Sequence, residues 1–246
     1  MRKYLDIPYA DNGLEAQKLD LWLPDEDAFP VLVFFHGGGM EAGDKADEAF
    51  LPELAQAGIG VVSANYRMYP EARFPEFVED AAAAVDWTLK NIGGYGKMEK
   101  LFVGGSSAGG YLSQMLCFDR RYLEKHGIWD EVDGYVLDAG QPTAHFNVLR
   151  ERGVDSRRVI VDEAAPLFFI DGKADYPPML VIVADNDMQG RYEQTMLLLA
   201  TLRHFGQGDK AELQVVSGSK HCEYHNWTED GRNVFGRMVQ EFIEKH

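Results

Sequence analysis

Cysteine is scarce in this chain: Cys117 and Cys222 stand alone and far apart. That excludes a disulfide scaffold and a clustered-thiol zinc module, and two reduced thiols fit a cytoplasmic protein. Cations are scarce too, with 24 Lys and Arg against 40 Asp and Glu, a formal net charge of −16. A surface of that sign repels nucleic acid and anionic lipid, so neither is expected as a partner. No apolar run approaches the roughly 18 residues of a membrane span. The opening MRKYLDIPYADNG has cations with no apolar stretch behind them, so a secretory signal is not expected. Internal repeats, low-complexity tracts and linkers rich in Pro, Gly or Ser are missing as well.

What is present is an ordinary globular composition: 246 residues, 46% hydrophobic, 12% aromatic and 26% charged. Such a chain can bury a full core without staples. Nothing marks a boundary, so a single domain over 1–246 is expected.

Apolar runs alternate with helical patterns. The runs at 31–36 (VLVFFH), 59–64 (IGVVSA), 101–105 (LFVGG), 134–138 (GYVLD), 179–184 (MLVIVA) and 212–216 (ELQVV) are mostly continuous rather than alternating. Strands covered on both faces read this way. Weaker strands at 2–9 and 19–23 suggest an edge hairpin. Helical stripes occur at Phe77, Ala81, Val85 and Leu89, through 192–205, and at Val234, Met238 and Phe242. The fold class is therefore α/β: a mostly parallel central sheet with helices on both faces. The stretch at about 139–178 is long for a connection. We expect it to form a small cap over the sheet's C-terminal edge.

The sharpest chemical signal is GGSSAGG at 104–110, a G-x-S-x-G centred on Ser107 between a strand and a helix pattern. A strand turning sharply into a helix holds a serine in a strained, projecting conformation, and small neighbours at Gly105 and Gly109 let the backbone pass. A phosphate loop of the Walker type would need Lys followed by Ser or Thr after the last glycine, and here Tyr111 and Leu112 follow. The second signal is HGGG at 36–39, directly after a strand. Consecutive glycines offer backbone N–H groups unobstructed by side chains, which is what a tetrahedral oxyanion requires. The N–H of Ala108 would join them. His36 reads as structural.

A serine nucleophile needs a base, and the base an orienting acid. The chain order Ser, acid, His places the base after the last strand: His221, with His225 as runner-up. The acid follows the strand at 179–184, with Asp187 preferred over Asp185 because it lies further into the loop. The i, i+4 spacing of His221 and His225 also permits a metal pair on a helix, but Glu223 is out of register for the zinc pattern and the segment reads as a loop. No metal and no cofactor is expected.

These residues resemble the α/β-hydrolase superfamily, and within it the hormone-sensitive-lipase-like esterases, including a small branch similar to acetyl esterases and arylformamidases. The resemblance rests on HGGG, on GGSSAGG, on Tyr66-Arg67 with Pro70-Glu71 and Phe74-Pro75, and on Asp80 and Trp87, and it runs from about Val31 to the C-terminus. It implies an α/β-hydrolase fold, an oxyanion hole at Gly38, Gly39 and Ala108, and bracing roles for the Tyr-Arg and Pro-Glu positions. HGGG begins at position 36, which leaves no room for the large N-terminal cap of bigger members. Met40 replaces a common aromatic. Both departures point to short acyl groups rather than lipid.

The expected function is thus a serine carboxylic ester hydrolase working through an acyl-enzyme on a small-molecule ester, such as an acetylated carbohydrate or a plant-derived ester. Met40, Gln141, His145 and Asn147 are the expected substrate-pocket residues. The alternatives are an arylformamidase-like amide hydrolase and a non-catalytic binding protein on the same fold. A homo-oligomer is compatible with the sequence.

Overall fold

The computed structural model describes residues 1–226, 228 and 233–246. Its strands are β1 (Arg2–Pro8), β2 (Lys18–Leu23), β3 (Ala28–Phe35), β4 (Gly60–Ala64), β5 (Lys97–Ser106), β6 (Gly134–Asp138), β7 (Met179–Asn186) and β8 (Ala211–Lys220). They form one sheet in the order β1-β2-β4-β3-β5-β6-β7-β8. The β1–β2 and β2–β4 pairs are antiparallel, and every pair from β4 to β8 is parallel. The helices are α1 (Leu51–Gln56), α2 (Glu76–Asn91), α3 (Ala108–Phe118), α4 (Arg121–Glu124), α5 (Phe146–Glu151), α6 (Arg191–His204) and α7 (Val234–Lys245).

Side chains alternate between the two faces of a strand, and here both faces are covered. Val31, Val33 and Phe35 of β3 join one core with α2, α3 and α6, through residues such as Val85, Leu112 and Leu202. Leu32 and Phe34 face the other way, into a core shared with α1 and α7 through Leu51, Leu54, Phe235 and Val239. That is why the β3 run is unbroken by polar residues.

Two elements, β8 and α7, depart from the expectations, and the long stretch 139–178 has structure of its own. β8 is the edge of the sheet, and Leu213 and Val215 are 37% and 38% exposed. Its apolar run is therefore not covered on both faces. In α7 the buried residues are Phe235, Gly236, Val239, Phe242 and Ile243; of the expected stripe Phe242 is buried, whereas Val234 and Met238 are only partly so. The core stripe is rotated by one residue from the one at Val234 and Met238. The stretch 139–178 contains α5 and a 3-10 turn at Pro166–Phe169. Ala144, Val148, Leu149, Ala164, Leu167 and Tyr176 all pack into the main core, so much of this segment is firmly docked.

A parallel sheet gathers its loops at the C-terminal ends of its strands, where α/β folds bind ligands. The loop after β3 carries His36 to Met40, and Ser107 directly follows β5. Asp138 closes β6, Asp187 follows β7, and His221 follows β8.

Candidate active site

Ser107 sits between β5 and α3 with φ 55° and ψ −108°. A non-glycine residue held there stores on the order of 1–3 kcal/mol of strain. The surroundings enforce it. The Ser107 amide donates to the Asp138 carbonyl at 2.9 Å. Strand and helix approach so closely that a Cβ on Gly109 would come within 1.9 Å of the Phe35 carbonyl oxygen. A Cβ on Gly105 would meet Gly109 at 2.5 Å. Only hydrogen fits at either place.

His221 Nε2 lies 2.8 Å from Ser107 Oγ, and His221 Nδ1 lies 2.6 Å from Asp187 Oδ1. An ionised carboxylate only accepts, so Nδ1 carries the proton and Nε2 is free to accept from the serine hydroxyl. Burial alone would raise the Asp187 pKa. The hydrogen bond and charge of His221, and the Met188 amide at 2.7 Å, outweigh it and hold the carboxyl below its ordinary value. Asp185 is engaged elsewhere: it accepts from the Gly218 amide at 2.8 Å and from Asn186 at 3.0 Å.

The glycine loop lies against this serine, the Cβ position of Gly37 falling 3.4 Å from Ser107 Cβ. The turn runs through φ of 106° at Gly38, 66° at Gly39 and 66° at Met40. A Cβ on Gly38 would strike the Ala42 carbonyl at 1.9 Å. Among the described residues, the amides of Gly38 and Gly39 donate to no protein acceptor. Ala108 opens α3, so its N–H has no partner one turn back. Three small-residue amides, two in the glycine loop and one next to Ser107, are thus unpaired among the described residues.

Much of the loop's rigidity comes from residues behind it. Tyr66 donates to the His36 carbonyl at 3.0 Å, and the two rings stack at 4.6 Å. Asn147 Nδ2 donates to the Gly39 carbonyl at 3.0 Å. His145 caps α5, accepting the Asn147 amide at 3.2 Å; burial, with the charges of Arg191 and Arg150, pushes its pKa down to about 3, so it is neutral. Met40 is fully buried, its carbonyl accepting from the Tyr69 amide. Of the four residues expected to line a pocket, Gln141 does line a cavity. Met40, His145 and Asn147 correct that expectation: they are buried in the support of the glycine loop. The Arg67 guanidinium chelates Asp80 with two bonds of 2.8 Å, tying the segment after β4 to α2.

A match to the alpha/beta hydrolase fold family spans residues 32–225. The chain belongs to this family. Among curated proteins it is similar to esterase LipC of Mycobacterium tuberculosis, 29% identical over 235 residues, covering 85% of this chain and 57% of the relative. It is also similar to the chloroplastic tuliposide A-converting enzyme 2 of Tulipa gesneriana, 35% identical over 217 residues, covering 78% of this chain and 56% of the relative. The chain thus spans little more than half the length of these two relatives. Among solved structures, a truncated carbohydrate esterase from gut microbiota superposes with a TM-score of 0.79 at 21% identity, covering 100% of this chain and 96% of that one. Esterase B of Lactobacillus rhamnosis, inhibited by a tributyrin phosphonate, gives 0.79 at 19% identity, covering 99% and 86%. At such identities these two likenesses speak for the fold.

This hydrolase-fold chain also holds a buried network that the sequence reading did not include. Asp138 is fully buried. Its carboxylate accepts from the Tyr224 hydroxyl and from His225 Nε2, the latter at 2.7 Å. His225 Nδ1 faces Glu48 at 3.3 Å, and Ser106 Oγ lies 3.3 Å from Nε2. Burial would lower the His225 pKa, but the charge and hydrogen bond of Asp138, together with Glu48, raise it to about 9. His225 is therefore an imidazolium strut. The signal in the sequence was an acid closing the apolar strand GYVLD, where an unpaired charge would be costly.

Ligand atoms of Asp138, Cys222 and His225 lie within 4.8 Å of one another. Both ring nitrogens of His225 face carboxylates, however, and a protonated ring offers no lone pair to an ion. His221 and His225 share no ion position either, since His221 turns to Ser107. Among the described residues, no helix is long and apolar enough to cross a membrane.

Proposed function

We propose that the protein is a serine-dependent carboxylic ester hydrolase. The observation that carries this reading is the chain Asp187–His221–Ser107, with bonds of 2.6 and 2.8 Å, set against the unpaired amides of Gly38, Gly39 and Ala108. His221 Nε2 takes the Ser107 proton as Oγ attacks the acyl carbonyl. The carbonyl electron pair moves onto oxygen, which the three amides receive. Removing one such donor typically costs about 2.7–4 kcal/mol of transition-state stabilisation in hydrolases. Asp187 stabilises the imidazolium, which then gives its proton to the leaving alcohol as the C–O bond breaks. Water repeats the sequence on the acyl-enzyme and releases the acid.

The esterase name of LipC supports this chemistry. Segment 139–178 serves as the cap: Phe146 at the start of α5 approaches Gly39, a Cβ there falling 3.2 Å from its ring. A roof this close to the oxyanion loop favours short acyl groups, an acetylated carbohydrate or a plant-derived ester among them.

Initial rates on aryl esters of increasing acyl length, run beside an aryl formamide, test the reading. We expect kcat/KM to be highest for acetyl to butyryl esters and to exceed that for the formamide. A preference for chains of eight or more carbons contradicts the short-acyl assignment. Faster cleavage of the formamide makes the protein an amide hydrolase of the arylformamidase type. No turnover of either, with Ser107 intact, makes it a binding protein.

A further inference from the structure

A cavity of about 590 Å³ lies beside the candidate site. It begins at Phe146, whose ring approaches Gly39, and reaches Met188, the residue after Asp187. Its outer wall is the strip carrying Arg157, Arg158 and Val159, and its floor includes Arg191. The charged residues lining it are three arginines, and no carboxylate is among them. Such a wall is unexpected in a chain with 40 acids and 24 cations.

The three arginines differ in how far they are neutralised. Arg157 is chelated by Asp155, with a 2.6 Å ion pair. Arg191 is 4% exposed, and its guanidinium hydrogen-bonds to neutral acceptors, the Ala139 carbonyl and Gln141 Oε1. Its charge is felt at Asp187 but, among the described residues, meets no carboxylate in hydrogen-bond contact. Arg158 is exposed, and its guanidinium makes no hydrogen bond or ion pair among the described residues; Asp155, on which its charge acts, is already held by Arg157. The cavity therefore has a buried cation in its floor and an unengaged planar fork at its rim. Phe146, Val159 and Met188 add an apolar lining, and Val159 and Met188 are 62% and 44% exposed.

We propose that this cavity receives a carboxylate-bearing part of the ester substrate. The inference rests on the ester-hydrolase reading and names the substrate class for that site. A guanidinium fork matches a carboxylate with two parallel hydrogen bonds. The apolar residues accommodate the ring or short chain that separates the acid from the scissile ester. Arg191 supplies a fixed positive potential close to the reacting centre, and Arg158 makes direct contact. In a protein of net charge −16, local cations are what allow an anionic substrate to approach at all.

The test compares matched pairs of esters on the intact protein. On the alcohol side, 4-acetoxybenzoate is set against neutral 4-acetoxybenzamide. On the acyl side, monophenyl adipate is set against its terminal amide. We expect the anion to be favoured by about tenfold in kcat/KM within one pair, the size of a charge-assisted contact, and that pair tells which half of the ester occupies the cavity. Arg158→Ala should bring the anion-to-neutral ratio close to one, Arg158→Lys should restore part of it, and added salt should erode it. Neutral esters turned over with no anion preference in either pair, or a preference that Arg158→Ala leaves intact, overturns the inference while the ester reading stands. Calorimetric titration with 4-hydroxybenzoate and adipate reads the cavity without turnover. Saturable binding of one of them, weakened about tenfold in Arg158→Ala, supports the site even where no ester is cleaved, and absence of binding by both, together with absence of anion preference, removes it.

Discussion

His221 Nδ1 lies 2.6 Å from Asp187 Oδ1, whereas Asp185, two residues earlier, spends its carboxylate on the Gly218 amide at 2.8 Å. Two acids at the end of one strand thus have different work. Asp185 ties the end of β7 to Gly218 in the neighbouring strand β8, and Asp187 sets the tautomer of the histidine that faces Ser107.

That division predicts unequal mutants. Asp187→Asn should lower kcat for an acetyl ester by about 10³–10⁴-fold, because an amide can hold the imidazole in the wrong tautomer. Asp185→Asn should change kcat less than about threefold, since Asp185 has no bond to the histidine. Steady-state kinetics on the two variants checks this. Equal losses would mean the two acids share the role.

His225 predicts a pH dependence of stability. Its folded pKa of about 9 lies above the ordinary 6.5. A raised pKa means the proton is bound more tightly in the folded state. The stabilisation is complete below about pH 6.5 and is lost as pH rises through about 9. The titratable and polar groups facing the ring are Asp138, Glu48, Ser106 and Tyr224, with Cys222 nearby, and Phe235 stacks on it. Thermal unfolding between pH 6 and 10 should show the midpoint falling across that window in the wild type and a flatter profile in His225→Gln. The variant should also be less stable by about 3 kcal/mol or more at pH 7, the cost of leaving Asp138 buried without its partner.

Gly109 and Gly93 are opposite steric cases. A Cβ at Gly109 would come within 1.9 Å of the Phe35 carbonyl oxygen, while one at Gly93 meets nothing within 4 Å. Gly109→Ala should open the contact between β3 and α3 and lose both stability and activity. Gly93→Ala should stay within about 0.5 kcal/mol of wild type, as surface changes usually do. Denaturant titration of both proteins compares them directly.

Asn147 should matter to rate more than to substrate binding. It is fully buried and holds the Gly39 carbonyl at 3.0 Å, which fixes the direction of the amides in that loop. Asn147→Leu removes the tie without burying a charge. We expect kcat to drop about tenfold or more, as for a misplaced oxyanion donor, with KM changed little. A rise in KM alone would place Asn147 in substrate binding instead.

The sequence was most readable where chemistry depends on strand ends. Ser107, Asp187 and His221 each follow an apolar run, and a parallel sheet brings such ends to one edge whatever the details of packing. The glycines at 38, 105 and 109 were readable because close backbone approach there tolerates no side chain. Packing phase was harder. In α7 two adjacent stripes are apolar, so Val234 and Met238 competed with Phe235 and Val239, and the packing against α1 and the sheet decides between them. The exposure of β8 depends on strand order, which no local pattern encodes. Asp138, Glu48 and His225 lie far apart in the chain, and their bonds become visible only once β6 and the loop after β8 are placed side by side.

The central claim is that Ser107 is a nucleophile activated by His221. Intact-protein mass spectrometry after treatment with a serine-reactive phosphonate tests it most directly. We expect one adduct per chain, mapped by peptide sequencing to Ser107, absent in Ser107→Ala and strongly slowed in His221→Ala. An unlabelled wild-type protein, or an adduct on a different residue that persists in Ser107→Ala, would contradict it.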